Sequence, residues 1–440
     1  MPTLSFPSLS LPFLLAAANL CSATAFAESP NPAATLLPRD LIMLPHAGDT
    51  PLDKDIQALQ KRIAGSGDSM PLIEKLGHLF IAKARTSGDP GYYKLAEQSA
   101  LAVLAEHPEA SDALLLRGHV LGALHRFREA EAIGRQLVAR RENFLDHALL
   151  GDALMEQGRL DEAIAAYQAM IDLRPGMQSY CRVAHVRWLK GDLEGAIDLM
   201  SQAVQTGTAR DPEPMAWAYA RLAMYQLEGG SEAAMQSADR ALELVPNYAA
   251  ALLARGRILL AKDNPTDAVV PLRVAATRNP LPEYLWTLAD ALRSAGHEEE
   301  AAAAEAKLER RGAVEDPRTF ALYLATRKLQ PKRAIQLAEA ELKERADIHT
   351  HDALAWSYLA DGQPVQALAC SRKALAEGSN DARIWLHAGL AAAAAGQKEE
   401  ALASLGKARA RRQMLLPSEA ALLDQPLTAL AKDKPPQPEL

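Results

Sequence analysis

Apolar residues recur at helical spacing along most of this chain, in short segments separated by turns. In the stretch from 144 to 175, FLDHALLGDALMEQGRLDEAIAAYQAMIDLRP, two such segments flank a turn at Gln157, Gly158 and Arg159. Gly158 suits a tight turn because glycine adopts a positive φ at little cost. Pro175 ends the second segment, since the residue before a proline is driven toward an extended backbone. The pattern predicts a pair of antiparallel helices.

The same pair recurs along the chain with a nearly constant period. Aligned on a small residue of the second helix, ten alanines follow one another at intervals of 34, 33, 33, 38, 34, 33, 33, 33 and 34 residues. These alanines are Ala96, Ala130, Ala163, Ala196, Ala234, Ala268, Ala301, Ala334, Ala367 and Ala401. In seven of the ten pairs a glycine stands five positions earlier, namely Gly91, Gly158, Gly191, Gly229, Gly296, Gly362 and Gly396. One pair cannot bury its apolar faces alone, so the pairs are expected to stack on one another.

The stretch from 144 to 175 carries small and large packing residues at the positions that the tetratricopeptide repeat uses: Leu150, Gly151, Leu154, Gly158, Ala163, Tyr167, Met170 and Pro175. It therefore resembles a tetratricopeptide repeat, and the resemblance covers roughly residues 70 to 414. The resemblance implies an all-α, right-handed superhelical solenoid of about ten helix-turn-helix repeats. In that family the fold serves as a binding scaffold.

Interruptions of the period divide the chain into five segments. We predict a signal peptide at 1–27, a linker and short helix at 28–69, an N-terminal repeat segment at 70–209, a C-terminal repeat segment at 210–414, and a capping helix with a disordered tail at 415–440. The division within the repeats is set at the one interval of 38 residues, where prolines and a glycine between Thr206 and Pro214 forbid a continuous helix. Within 28–69, a proline-rich extended linker is expected up to Thr50 and a helix from Asp53 to Ile63.

The first 27 residues have the features of a secretory signal peptide. They contain no charged side chain, the apolar run from Leu11 to Leu20 is too short to span a bilayer, and Ala25-Phe26-Ala27 matches a small-x-small cleavage site. We therefore expect cleavage after Ala27 and a periplasmic location. The alternatives are a buried or disordered N-terminal helix and a lipoprotein attached through Cys21.

Composition and motifs exclude several classes of function. A formal charge of −7 argues against nucleic-acid binding, and the mature chain has no further apolar run long enough to be an integral membrane segment. No catalytic motif is present, so we expect no enzyme activity and no cofactor. His349 and His351 diverge on a helix, and they are interpreted as solvated histidines and not as metal ligands.

In the family that this chain resembles, the first helix of each repeat lines the concave groove. Transferring the inward positions gives a set of mixed charges and aromatic rings: His119, Asp152, Arg182, His185, Arg257, Asp290, Arg293, Tyr323, Arg327, Trp356 and His387. The same positions include Trp188, Tyr219 and Trp286, and for the three tryptophans (Trp188, Trp286 and Trp356) packing between helices is the alternative.

Trp, Tyr and Arg supply much of the energy of protein interfaces, so this lining suits an extended peptide or a protein. The resemblance thus implies a non-catalytic scaffold or adaptor in the bacterial envelope, with an envelope complex as its expected setting. The alternative is a scaffold for export or modification of envelope polysaccharide.

Overall fold

The computed structural model describes residues 36–66, 69–208 and 212–432. The chain forms two units, Met1–Leu37 and Pro38–Leu440, and every described helix lies in the second. The predicted signal peptide and the last eight residues of the predicted tail lie outside the described residues. Within the described ranges there are 23 α-helices and no β-strand.

Two helices precede ten helix pairs, and one helix follows them. The leading helices are α1 (Pro38–Ile42) and α2 (Pro51–Ala64). The pairs are α3 (Met70–Ser87) with α4 (Gly91–Glu106), α5 (Ser111–Ala123) with α6 (Phe127–Val138), α7 (Phe144–Glu156) with α8 (Leu160–Leu173), α9 (Met177–Leu189) with α10 (Leu193–Thr206), α11 (Pro212–Glu228) with α12 (Ala233–Leu244), α13 (Ala249–Ala261) with α14 (Pro265–Arg278), α15 (Pro282–Ser294) with α16 (Glu298–Glu315), α17 (Pro317–Thr326) with α18 (Pro331–Glu344), α19 (Ile348–Ala360) with α20 (Pro364–Ala374), and α21 (Ala382–Ala394) with α22 (Lys398–Ala410). A 3-10 turn at Arg412–Met414 leads into α23 (Pro417–Lys432).

The predicted all-α solenoid of helix pairs is confirmed, and so is its register. All ten aligned alanines are buried, with at most 2% of the residue surface exposed. The first helix of a pair also needs small residues, because a Cβ placed on Gly151 would lie 2.4 Å from the ring of Tyr167 on the second helix. Side chains of this size let the two helices of a pair approach closely.

The turn inside each pair places at least one residue in the left-handed region; in the first pair it is Gly88 (φ 69°) and not the predicted Gly91, and in the eighth pair Gln330 joins Lys328. Five of the predicted glycines do so, with φ between 75° and 82°: Gly158, Gly191, Gly296, Gly362 and Gly396. In three pairs that lack the glycine, His125, Asp263 and Lys328 adopt φ values of 58°, 56° and 53°. In the fifth pair the left-handed residue is Gly230 and not the predicted Gly229. The first helix of that pair is therefore shifted by one position relative to the predicted alignment.

Of the predicted extended linker, the described residues from 36 on are packed against the repeats. Ile42 at the end of α1 is completely buried, and the side-chain amide of Gln60 on α2 donates to the carbonyls of Ile42 (2.8 Å) and Leu44 (2.9 Å). Asp53 lies 2.7 Å from both Lys83 Nζ and His46 Nε2, which ties this segment to the first pair. The prediction relied on the proline-rich composition and overlooked a short apolar run that packs on the first repeat.

The prolines and the glycine of the long interval between the fourth and fifth pairs coincide with a break between two helices, as predicted. Helix α10 ends at Thr206, and Pro212 stands at the start of α11, where a proline has no hydrogen bond to lose. Helices α10 and α11 pack against each other. The division of the repeats into two segments stays a prediction.

Residues 185 to 189 positions apart also meet, which neighbour-to-neighbour stacking does not predict. Lys190 Nζ contacts Glu377 at 3.0 Å, the Asn380 amide donates to the Gly191 carbonyl at 2.7 Å, and Gln413 donates to the Glu228 carbonyl at 2.8 Å. These contacts join the turns of the fourth and fifth pairs to the loops after the ninth and tenth pairs, and an ion pair between Glu156 and Arg345 joins the third pair to the loop after the eighth. We call this line of contacts the seam.

Two turn glycines are required at the seam for a second reason. A Cβ on Gly158 would lie 2.2 Å from the Ala346 carbonyl oxygen, and one on Gly191 would lie 2.3 Å from the Gly378 carbonyl oxygen. Such distances are shorter than real contacts, so the backbones could not approach with any other residue. Glycine at these turns therefore serves both the pair and the seam.

We predict that Ala163→Leu lowers the free energy of unfolding by about 1–3 kcal/mol, because the larger side chain overpacks the interface between α7 and α8. Chemical denaturation provides the measurement. Ala165→Leu, at an exposed position of the same helix, is the matched control and should change stability by less than about 0.5 kcal/mol. Equal unfolding midpoints for wild type and Ala163→Leu would contradict the described packing.

Candidate partner-binding groove

Three of the predicted groove residues come together on the first helices of the second to fourth pairs. Arg182 holds Asp152 with two hydrogen bonds of 2.8 Å, and the Tyr167 hydroxyl donates to the same carboxylate at 2.8 Å. Arg182 and Asp152 retain 26% and 36% of their side-chain exposure, so solvent reaches the pair. Burial lowers the pKa of the neighbouring His119 to about 4, which leaves this imidazole neutral near pH 7.

His185 belongs to an aromatic cluster that crosses the seam. Its ring stacks on Trp188 at 5.4 Å and its Nδ1 lies 3.1 Å from the Tyr225 hydroxyl. Trp188 also stacks on His349 of the ninth pair at 5.7 Å. Burial, with Arg221 nearby, lowers the pKa of His185 to about 3. His185 therefore contributes a neutral ring to the cluster.

The two histidines that were expected to be solvated are half-buried. His349 is held in the aromatic cluster, and burial lowers the pKa values of both His349 and His351. Both line a cavity of about 160 Å³ at the seam, together with Lys373 and Glu377. The expectation was wrong because no local pattern shows that the start of α19, 161 residues after Trp188, returns to stack on the ring of Trp188. No group of three or more His, Cys, Asp or Glu side chains suited to a metal occurs in the described part of the chain.

Glu228 anchors the seam from the fifth pair, and the sequence analysis missed it. Its Oε2 accepts a 2.6 Å hydrogen bond from the indole of Trp188, and Arg411 lies 3.7 Å from Oε1. The carboxyl is almost fully buried. Burial raises the pKa of Glu228 to about 7, although the Trp188 hydrogen bond and Arg411 act in the opposite direction.

Arg221 occupies in the fifth pair the place that Arg182 has in the fourth. Each stands nine positions before the left-handed glycine of its pair, Gly230 and Gly191. The predicted alignment selected Tyr219 because it was set on Gly229. The Arg221 guanidinium lies 5.8 Å from the ring of Trp217, which is 39% exposed. Among the described residues, no carboxylate lies within ion-pair distance of Arg221.

Two other predicted groove residues bind the chain itself. Arg257, with 6% exposure, donates through Nη2 to the carbonyl of Met414. Asp290, with 2% exposure, accepts the backbone N–H of Ser418 at 3.0 Å and its hydroxyl at 2.6 Å. Burial raises the pKa of Asp290, while the Ser418 hydrogen bonds oppose this change. This part of the groove is therefore filled by residues that follow the last repeat.

The remaining predicted residues make contacts within the repeats. Arg293 and Arg327 both pair with Glu305, at 2.9 Å and 3.4 Å. Tyr323 is 1% exposed and donates to Glu309 at 3.0 Å. The other pairs are Trp356 with Thr326 through a 2.9 Å hydrogen bond, Trp356 stacked on His387 at 4.1 Å, and His387 with Asp352 at 2.9 Å.

Two of the three tryptophans, Trp286 and Trp356, are packed between helices, as the alternative interpretation predicted. Trp286 is 1% exposed and Trp356 is 7% exposed, so neither ring is presented to solvent. Trp188 is half-buried at the seam. Among the charged groove residues, Asp152, Arg182, Arg293 and Arg327 keep 26–36% side-chain exposure, and Arg221 is half-buried.

A tetratricopeptide repeat family model matches residues 115–178, 148–214 and 353–414. These stretches of the chain are tetratricopeptide repeats. The matched stretches include Asp152, Arg182 and His185, and the structure extends the same helix pair to the stretches between and before them. Protein interaction is the general role of such repeats.

The solved structures to which this chain is similar have low sequence identity with it. Yeast Tom70 is 13% identical, with coverage of 87% of this chain and 96% of that chain and a TM-score of 0.37. The human IFIT1 dimer with m7Gppp-AAAA is 15% identical, with coverage of 74% and 76% and a TM-score of 0.48. A tetratricopeptide repeat protein from Parabacteroides merdae is 18% identical, with coverage of 58% and 98% and a TM-score of 0.33. A comparison with curated proteins gave no match.

The pKa of Glu228 predicts how stability depends on pH. A carboxyl whose pKa rises from 4.5 to about 7 on folding costs no stability below pH 4.5, and its ionisation opposes folding as the pH increases through 7. Glu228→Gln keeps an acceptor for Trp188 but cannot ionise. We expect this variant to exceed wild type by about 1–3 kcal/mol in free energy of unfolding at about pH 8, and to equal it near pH 4.5.

Urea denaturation at both pH values measures this difference. Glu232→Gln is the matched control, since Glu232 on the same turn is 88% exposed and pairs with Lys262. Removing the charge of Glu232 should not increase the free energy of unfolding at either pH. A Glu228→Gln effect that is identical at the two pH values would show that ionisation of this carboxyl is not the cause.

Proposed function

We propose that this protein is a non-catalytic scaffold that binds a protein or peptide partner on the first helices of the third to fifth pairs. The observation that carries the proposal is the state of Arg221. Arg221 is half-buried and has no carboxylate partner in the described part of the chain, whereas the equivalent Arg182 is paired with Asp152. A buried or half-buried charge without a partner is costly, so the site favours a partner that supplies a carboxylate.

Neighbouring groups give that site further selectivity. Trp217 beside Arg221 offers an exposed ring, and His119 beside Arg182 offers a neutral one. Arginine and tryptophan are the residues that most often dominate protein interfaces. A polysaccharide would instead require several exposed rings for stacking, and the rings of Trp286 and Trp356 are buried. The lining therefore favours an acidic peptide over a sugar chain.

We further propose that the scaffold works in the periplasm, as part of an envelope assembly. The uncharged residues 1–27 with the sequence Ala25-Phe26-Ala27 support export. In the described residues, no helix is long and apolar enough to cross a membrane. The partner would then be an envelope protein with an acidic segment.

Replacing the unpaired arginine tests the site. We expect Arg221→Ala to reduce crosslinked partner recovered from an envelope fraction by about tenfold or more, because a central arginine contact is lost. Quantitative mass spectrometry of the crosslinked species is the measurement, and circular dichroism checks that helicity is retained. Arg240→Ala on α12, where the arginine is 58% exposed and paired with Glu243, is the control. Unchanged recovery of the partner with Arg221→Ala would show that this surface does not bind the partner.

Export has its own test. We expect protein recovered from the periplasm to begin at Glu28, and Ala25→Lys to accumulate as an uncleaved precursor because signal peptidase requires a small residue there. N-terminal sequencing and intact mass measure both. Ala33→Lys, beyond the cleavage site, should be processed normally. Recovery of the wild-type chain in the cytosol with Met1 in place would refute the location.

A further inference from the structure

Residues 411–424 occupy the groove of the later repeats, and we call them the C-terminal segment. They contain the 3-10 turn and the first two turns of α23. Leu416 and Leu423 are 1% and 0% exposed, so the segment is inserted and does not lie on the outside. The first helices of the fifth, sixth, seventh and tenth pairs contact it, through Glu228, Arg257, Asp290 and Arg383.

The groove recognises the start of a helix in this segment. The first backbone N–H groups of a helix have no partner within it and attract negative charge. Asp290 of α15 accepts the N–H of Ser418 at 3.0 Å and its hydroxyl at 2.6 Å, directly after Pro417 begins α23. The buried carboxylate of Asp290 therefore binds both the start of the helix and a hydroxyl side chain.

A second contact, an ion pair, binds Glu419, the residue after Ser418. Glu419 is completely buried and forms an ion pair with Arg383 of α21, while its Oε2 accepts the N–H of Leu416 at 2.8 Å. On the other side of the 3-10 turn, Arg257 of α13 donates to the carbonyl of Met414. The three repeat residues thus bind a backbone carbonyl, a helix N-terminus with serine, and a glutamate, in that order along the segment.

These charged contacts suit a groove in which the C-terminal segment can be replaced by another ligand. Replacing a buried ion pair by apolar residues is often neutral or stabilising, so a permanent cap has no need of charges at this place. When the segment leaves, Asp290, Arg257 and Arg383 regain water, which offsets part of the lost contact. The fit is also incomplete, because the buried Trp286 Nε1, whose ring lies 5.3 Å from the Arg383 guanidinium, has no hydrogen-bond acceptor in the described part of the chain.

We propose that the groove formed by Arg257, Asp290 and Arg383 is a receptor for a partner segment that begins a helix with the sequence Leu-Pro-Ser-Glu or a close equivalent, and that the chain's own C-terminal segment is its resident ligand. The inference deepens the proposed function, since it rests on the first helices being a binding surface. It concerns the later repeats, so its outcome is independent of the Arg221 site.

The probe is a labelled synthetic peptide with the sequence of residues 411–424, RRQMLLPSEAALLD. Binding to the full chain is followed by fluorescence anisotropy. The resident segment reduces apparent affinity by the fraction of time for which it covers the groove. We expect the full-length variant Ser418→Ala with Glu419→Ala, which keeps the receptor residues, to bind this peptide at least about tenfold more tightly than wild type does. Adding Asp290→Ala to that variant should abolish the gain.

A second measurement uses the wild-type chain and does not depend on the folding of any variant. Hydrogen exchange at residues 415–424 should increase when excess peptide is added, and should stay unchanged with a peptide carrying alanine at the serine and glutamate positions. No change with either peptide would identify the segment as a permanent cap and overturn the proposal. Equal binding of the two peptides would overturn it as well, since recognition of the helix start would then be absent.

Discussion

The close approach of two helix backbones, once per repeat, is the constraint on which this structure depends. The ten alanines of the second helices are buried against their partners, and a single Cβ on Gly151 would already collide with Tyr167. Because each pair contacts chiefly its neighbours, stability accumulates along the array and not in one central core. A change in the helix separation at one pair would therefore be passed to every later pair as a change in direction.

The seam is a consequence of that regularity. Small rotations between successive pairs add up until a loop about 187 positions downstream returns to the turn of an earlier pair, as Lys190 and Glu377 illustrate. Contacts with such a sequence separation close long loops. They also enclose the inner surface, which explains why His119 and His185 are neutral and why Glu228 is protonated more easily than an exposed carboxyl. The electrostatic character of the groove follows from the geometry of the array.

The repeat register could be predicted from the sequence, whereas the closure of the array could not. Ala163 and Gly158 report a packing requirement between residues a few positions apart, so their spacing is visible in the chain. The approach of Gly158 to Ala346 depends on the summed rotation of many pairs, and no local pattern encodes it. The shift in the fifth pair had a different origin, since two adjacent glycines, Gly229 and Gly230, made either register acceptable until φ was known.

The groove residues illustrate the same limit. Arg257 and Asp290 were predicted to bind a partner in the groove, and in the structure they bind a segment of the same chain. The sequence indicated a helix at 418–423, and the structure shows that it is longer and inserted. A family pattern describes where a side chain points relative to its own repeat. The surface that contacts that side chain depends on distant parts of the chain, which the repeat pattern does not include.

Charges that repeat and charges that occur once have different roles in this molecule. Between neighbouring second helices the same exposed ion pair recurs, as in Arg135 with Glu162, Arg273 with Glu300 and Arg372 with Glu400. Exposed pairs of this kind contribute only about 0–1 kcal/mol each and carry little specificity.

The inner pairs, Asp152 with Arg182 and Arg383 with Glu419, each occur at a single repeat and are more shielded from water. Selection for stacking alone would repeat them or replace them by apolar residues. Their singular positions mark the places where this array departs from a uniform scaffold, and recognition of particular partners requires such departures.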